Sequence, residues 1–407
     1  MNRNKPIALL VTAVLLASAL ICGMVNVQTR PAVPVLRQTA TADSPAPWGT
    51  APDDLRGVWV NYMELSMAYE SDKSEAAFRN KFEAIAADCA ALGCNTLFVQ
   101  VRPFCDALYV SAVFPPSHVL SGEQGKSAGY DALQIMCEIC RKKGLQIHAW
   151  VNPYRVTANG TPAHLGKTNP VVQDKTLALT TDSGMILNPS SEKARRLITE
   201  GVTEIVKNYD VDGVQFDDYF YPEDIGDADR AQYAAYTESV PQGQAMDIGA
   251  WRQANVNLLL SETLIAVHRA NPNAVFGVSP QGHLANNALL YADVKSWCEV
   301  RGYVDYICPQ LYFSLDNPAL GFEAALNDWT ALDFAEDVRL YAGLAGYKAG
   351  TDADEGTWEN RDAILQEEVN ILNKNKKVSG WVLYSYASLH EEAAQEEILH
   401  LQKSVTT

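Results

Sequence analysis

The sequence predicts an α/β chain folded as a (β/α)8 TIM barrel with long strand-to-helix loops on its C-terminal face. Three observations carry that prediction. Apolar strand-like runs alternate with helix-period stretches eight times between residues 56 and 403, the pattern of a parallel sheet covered by helices. The helix-to-strand connections are short, whereas three strand-to-helix connections, 104–129, 155–189 and 223–250, are long. No G-x-G-x-x-G follows any strand, which speaks against an open doubly wound sheet.

The chain opens with Arg3 and Lys5 ahead of an almost wholly apolar run, 7–25. Ala17-Ser18-Ala19 suits a signal peptidase, and the same run is long enough to span a bilayer as an uncleaved anchor. Residues 1–25 are therefore a signal peptide or a membrane anchor in contact with the membrane. Either reading puts the rest of the chain outside the cytoplasm, with the positive end inside. Residues 26–54 are rich in Pro, Ala and Thr without apolar periodicity and read as a flexible linker. The barrel domain is expected over 55–407.

Within it, 56–62 (RGVWVNY) is strand 1, and 74–92 is an amphipathic helix closed by Gly93, a residue that takes the left-handed C-cap conformation without a Cβ clash. Strand 2 is 95–103 (NTLFVQVRP), and its helix, 130–143, ends at Gly144. Strand 3 is 145–154 (LQIHAWVNPY), followed by a helix over 190–208 with Ser190 or Ser191 as N-cap. Strand 4 is 211–219, with its helix at 251–270. Strands 5 to 8 fall at 274–280, 304–313, 338–347 and 378–389, with helices at 291–301, 321–332, 358–374 and 391–403.

Bulk composition narrows the partners. A hydrophobic content of 47% is ample for a core. The net charge of −17 argues against nucleic acid or an anionic membrane surface as partner. It suits a neutral or N-acetylated substrate better than a polyanion. Of eight cysteines, Cys137 and Cys140 form a C-x2-C inside a helical pattern. No second pair or cysteine–histidine cluster accompanies it, so a zinc site lacks its other ligands. The cysteines read as small buried side chains, with an occasional disulfide as the alternative in an exported chain, and neither a metal nor a cofactor is expected.

Side chains alternate along a strand, and in a barrel the helix-facing set is apolar while polar groups near the top point inward. Strand 2 then directs Leu97, Val99 and Val101 outward and Phe98, Gln100 and Arg102 inward. Strand 3 directs His148, Trp150 and Asn152 inward, and strand 6 directs Cys308, Gln310 and Tyr312 inward. In strand 4 (VDGVQFDDYFYP), Val214 and Phe216 face out and Gln215 and Asp217 face in. Asp218 faces away unless the strand bends at its end.

Asp217 and Asp218 are the candidate catalytic groups. Two close carboxylates raise each other's pKa, so one can hold a proton near neutrality while the other stays ionised. A helix cap or loop ion pair would suffice for an isolated pair, but not for one at the end of a buried strand followed by aromatics. The candidate substrate-binding residues are Arg102, Asp106, His148, Asn152, Tyr154, Tyr221, Gln281, His283, Gln310 and Tyr312. Arg102 would grip Asp217 or substrate, or form a structural ion pair with Asp106. His148 has no H-x-H partner, which argues against a metal-dependent amidohydrolase barrel. Trp150, Tyr154, Tyr219, Tyr221, Tyr312 and Tyr384 are aromatics of the kind that stack on sugar rings.

Several of these segments resemble the bacterial glycosyl hydrolase-like 10 family. They are Arg56-Gly57-Val58-Trp59, Gln100-Val101-Arg102-Pro103 with Asp106-Ala107-Leu108-Tyr109, and His148 through Arg155. Leu187-Asn188-Pro189, Phe216 through Pro222, Gly277-Val278-Ser279-Pro280 and Asp305 through Gln310 continue the likeness to the C-terminal part of the chain. The family pattern usually has a histidine or similar residue where Gln215 stands, and a Phe-Gly with a nearby Trp in place of Gln281-Gly282-His283. The resemblance implies a TIM-barrel glycoside hydrolase hydrolysing O-glycosyl bonds in a polysaccharide, with cell-wall or other extracellular glycan as substrate.

Two catalytic templates can be compared with the strands. Retaining barrels pair an acid after strand 4 with a nucleophile after strand 7, but strand 7 here ends without a carboxylate. Asp352, Asp354 and Glu355 follow only in the loop. The chitinase pattern D-G-x-D-x-D-x-E lays its last Asp on Asp217, with Gln215 and Tyr219 replacing an Asp and the acid Glu. That leaves a substrate-assisted variant on an amino-sugar polymer such as peptidoglycan glycan, or a non-catalytic barrel that only holds glycan at the envelope.

Overall fold

A computed structural model describes residues 49–406 apart from 360 and 362. The expected signal or anchor segment, 1–25, and most of the expected linker lie outside the described residues. Of that linker, 49–54 pack against the barrel: Ala51 is buried, Tyr341 Oη donates to the Pro52 carbonyl at 2.6 Å, and Asp53 pairs with Arg339.

Eight parallel strands close a barrel: β1 (Leu55–Val60), β2 (Thr96–Arg102), β3 (Gln146–Val151), β4 (Gly213–Phe216), β5 (Val275–Val278), β6 (Tyr306–Ile307), β7 (Arg339–Leu344) and β8 (Val378–Tyr384). Their order in the sheet is their order in the chain, and β8 returns to β1 from Leu55↔Gly380 to Trp59↔Tyr384. Between them run the helices Glu75–Ala91, Ala132–Lys143, Glu192–Asn208, Ile248–Ala270, Val294–Glu299, Phe322–Thr330 and Ile364–Lys374, with Gln395–Thr406 after β8. The end signals act as expected. Gly144 takes φ 70° at a C-cap, and Ser191, rather than Ser190, caps the helix that follows by accepting from Ala194 N.

The strands are shorter than expected where the chain cannot pair. β6 is two residues long because Pro309 has no N–H to donate. Beyond it the ladder survives only as bridges from Gln310 to Gln281 and Gly343. Outward residues of the strands (Val99, Ile147, Val214, Phe216, Phe276, Leu340) join the helices in one buried core. The inward ones (Trp59, Phe98, Tyr306, Tyr341, Val382) make a second.

That inner core depends on rings set against glycines. A Cβ on Gly277 would sit 2.1 Å from a Tyr306 ring atom, and one on Gly213 would sit 2.8 Å from the His148 ring. No real Cβ tolerates such approaches, so these positions admit hydrogen only. Large rings thus fill the lower barrel and close its floor.

The long loops expected on the C-terminal side carry structure of their own. Residues 155–187 include a three-stranded antiparallel sheet of Arg155–Ala158, Ala178–Thr180 and Gly184–Leu187. The loop after β4 holds a helix, Arg230–Ser239, anchored nearby by a buried Asp229–Arg252 pair with Nε–Oδ2 at 2.8 Å. Strands of three or four residues offer too few alternations to show in a sequence. All seven described cysteines are buried with free thiols.

Candidate active site

A cavity of about 260 Å³ opens at the C-terminal ends of the strands, lined by Trp59, Trp150, Gln215, Asp217, Asp218, Tyr219, Ser279, Gln310, Tyr312, Tyr347 and Tyr384. Every barrel strand except β2 contributes to it directly or through the turn that follows. Asp217 and Asp218 are its lining carboxylates. The ladder of β4 ends at Phe216, and the bend beyond it lets two consecutive side chains share one cavity.

The two aspartates are held differently. Asp217 Oδ2 accepts from Trp150 Nε1 at 2.9 Å and Asn152 Nδ2 at 3.2 Å, and Oδ1 from the Tyr219 amide at 3.4 Å. Burial pushes its pKa up to about 6, with Asp218 adding to the rise, while Arg155 and the Trp150 bond oppose it. Asp218 Oδ1 accepts from Gln310 Nε2 at 3.1 Å. Burial raises Asp218 too, against the opposing bonds from Gln310 and Gln281. The arrangement supplies one carboxylate fixed by three donors and a second held by amides from just past β6 and from the turn after β5.

The aromatic wall centres on Tyr384, whose ring lies 5.8 Å from both Tyr312 and Tyr347 and 6.2 Å from Trp59. Glu64, in the loop after β1, accepts from Ser385 Oγ and Ala387 N, both at 2.6 Å, and so clamps the turn behind Tyr384. On the other rim Tyr219 stands 54% exposed, its ring 4.8 Å from the Arg155 guanidinium. Rings presented edge and face around a small polar floor suit a sugar, whose axial faces are apolar and whose hydroxyls are not.

Of the expected substrate contacts, Gln310 and Tyr312 line the cavity. Gln281 stands beside Asp218, and Asn152 acts through its bond to Asp217. The others are placed elsewhere. Arg102 does not reach Asp217 by a hydrogen bond. The register between β2 and β3 shifts between Gln100 and Arg102, which turns the guanidinium under the loops to bond the Asn152 and Pro153 carbonyls at 2.8 and 2.6 Å. Asp106 is fully buried with His118 and Gln124, and it forms no ion pair with Arg102. His148 lies one layer too deep: its Nδ1 bonds Tyr306 Oη at 2.9 Å, and burial lowers its pKa to about 4. Tyr154 and Tyr221 follow the strand ends and fold back into the outer core. His283 begins the turn Leu284–Leu290 and is not among the lining residues. Asp354, after β7, is engaged by Lys348, Trp358 and Ser314.

Trp59, Ser279 and Tyr347 line the cavity although none was named as a candidate site residue. Trp59 obeys the alternation that places Gln100 and Asp217 inward. Its Nε1 donates to Gln215 Oε1 at 2.6 Å. Ser279 obeys the same rule at the end of β5. Tyr347 sits in a short turn past β7, where no strand periodicity reaches.

Fold and site together define a (β/α)8 barrel of the glycoside-hydrolase kind, with an acidic pair and an aromatic wall at the C-terminal mouth. The glycosyl hydrolase-like 10 pattern matches residues 54–359, and the chain belongs to that family. The "Glycosyl hydrolase YngK" of Bacillus subtilis is 32% identical over 360 residues, 83% of this chain and 69% of its own. The "Glycosyl hydrolase DigH" of Escherichia coli K12 is 28% identical over 438 residues, 98% of both chains. The glycoside hydrolase domain of PgaB from Bordetella bronchiseptica superposes with a TM-score of 0.55 at 15% identity, over 86% of this chain and 99% of that domain. An α-L-fucosidase from Paenibacillus thiaminolyticus gives 0.55 at 12%, covering 87% of this chain and 49% of its own. These two share the fold.

Proposed function

We propose that the protein is an extracytoplasmic glycosidase that cleaves a polysaccharide of 2-acetamido sugars, the glycan of peptidoglycan. The observation that carries this reading is the pair Asp217/Asp218. Both carboxyls line one small cavity, Asp217 buried and Asp218 half-buried, both are raised in pKa, and they are held by separate sets of donors. Adjacent acids cannot attack opposite faces of a sugar ring. They can act on one face together: Asp217, fixed by Trp150 and Asn152, orients the acetamido N–H, and Asp218 protonates the leaving oxygen. The acetamido oxygen then takes the place of a protein nucleophile. The family membership and the relatives' names support a hydrolase, and the apolar run 7–25 supports export.

The test is incubation of the purified protein with sacculi, scored by new reducing ends. Asp217→Asn and Asp218→Asn should each abolish them, and full activity in both variants would end the proposal. Among the described residues the lining carboxylates follow the end of a single strand, with none facing them across the cavity. That feature favours a second reading, a barrel that binds glycan without cleaving it. Retained binding with no reducing ends from the wild type would establish it.

A further inference from the structure

β2 contributes no lining residue to the cavity, yet its last residue is tied to an acid that lines it. The register shift between β2 and β3 sets Arg102 opposite Val151, one residue before Asn152. The Arg102 carbonyl accepts from Asn152 N at 3.0 Å. Arg102 Nη2 donates to the Asn152 carbonyl at 2.8 Å and to the Pro153 carbonyl at 2.6 Å. Both main-chain polar groups of Asn152 are therefore held by one residue. The Asn152 side chain is fully buried and fixed at both ends. Its Oδ1 accepts from the Arg155 amide at 2.9 Å, and its Nδ2 donates to Asp217 Oδ2 at 3.2 Å. A main-chain N–H can only donate, so Arg155 settles which end of the amide faces Asp217. The guanidinium of Arg102 is itself buried, with Cζ 4.5 Å from the centre of the Phe114 ring, and its Nη1 has no hydrogen-bond partner. Among the described residues it makes no ion pair. Burying a charge without a counter-ion is costly. Charge-assisted bonds to two successive carbonyls are what an apolar side chain at this position could not supply.

We infer that Arg102 is a positioning residue for Asp217: it locks the segment at Asn152 and Pro153 so that the Asn152 amide stays aimed at the carboxylate. The inference rests on the glycosidase reading, in which Asp217 works at the reacting sugar. Arg102 neither lines the cavity nor bonds Asp217, and Asn152 passes the constraint on. Loss of the two carbonyl bonds would let the segment after β3 shift and carry Nδ2 away from Oδ2.

The test reads Asp217 directly, by nuclear magnetic resonance of isotope-labelled aspartate carboxyls across pH, with Asp217→Asn assigning the signal. Asn152→Ala removes a donor to the ionised carboxylate and should raise the Asp217 midpoint by about one pH unit. Arg102→Gln should raise it by about half as much or more. Arg102→Lys, which keeps a charged donor on an unforked stem, should fall between wild type and Arg102→Gln. In the Asn152→Ala background Arg102→Gln should add nothing, because its path to Asp217 is already cut. The charged and titratable groups that face Asp217, namely Asp218, Arg155, Tyr219 and Tyr384, are retained in every variant. On sacculi, Arg102→Gln should lower kcat about fivefold, the rate equivalent of one lost hydrogen bond, and leave KM in place. An unchanged Asp217 midpoint in folded Arg102→Gln, or a further rise of equal size in the Asn152→Ala background, overturns the inference. If Arg102→Gln does not fold, Arg102→Lys decides by the same two comparisons. A wild type that releases no reducing ends from sacculi ends the glycosidase reading, and the titration then still decides the role of Arg102.

Discussion

Gln310 Nε2 donates to Asp218 Oδ1 at 3.1 Å and to the Ser279 carbonyl at 3.0 Å. A carbonyl can only accept, so the amide orientation is settled by Ser279 and its other N–H is committed to the carboxylate. Gln310→Leu removes a donor that favours ionised Asp218 and lets the side chain turn. Loss of activity on sacculi by about 10- to 100-fold in kcat/KM is expected, with the Asp218 limb of the pH profile moved to higher pH. Steady-state kinetics across pH on the variant check this.

Trp150 sets the companion acid. Its Nε1–H favours the charged form of Asp217, whose pKa burial has already pushed up to about 6. In the proposed role Asp217 works ionised, so activity should fall as pH drops through about 6. Trp150→Phe keeps an aromatic ring and deletes the donor. The acidic limb should then move up by about one unit, the equivalent of one hydrogen bond of ~1.4 kcal/mol. A limb that stays in place would separate Asp217 from the rate.

The inner core predicts a stability effect remote from the chemistry. Gly277→Ala forces a methyl into the Tyr306 ring, which is itself fixed by the bond to His148 and by neighbouring rings. Destabilisation of about 3 kcal/mol, the upper end of overpacking costs, is expected. Urea unfolding followed by near-ultraviolet circular dichroism measures it.

Glu368 predicts the opposite sign. It is fully buried on the helix Ile364–Lys374, and neither carboxyl oxygen has a partner. Burial holds its pKa well above the ordinary value, with Glu397 adding to the rise. A carboxyl raised in the folded state binds a proton that the unfolded chain releases, so folding stability falls as pH rises above the unfolded pKa. Glu368→Met should therefore stabilise by roughly 1–3 kcal/mol at pH 7. The gain should shrink as pH is lowered towards 4.5, and thermal melts at the two pH values read it directly.

Eight strands, eight helices and the inward faces of strands 2, 3, 4 and 6 were legible in the chain, because periods of 2 and 3.6 are local properties. Thus Gln215 and Asp217 point inward, Val214 and Phe216 outward, and Trp150, Tyr312 and Tyr384 reach the mouth. Depth and direction beyond the strand ends were not legible. His148 obeys the alternation but lies one layer below the cavity, where the glycine at 213 admits its ring. Arg102 obeys it until a register shift turns it under the loops. Tyr154 and Tyr221 lie past the last ladder bond, where only packing decides their side. What the sequence determined by itself was the barrel and the position of an acidic pair at the end of β4. The tertiary structure alone decided that Asp217 and Asp218 share one cavity, because the bend after Phe216 and the donors from Trp150, Asn152 and Gln310 come from distant strands and exist only once the barrel is closed.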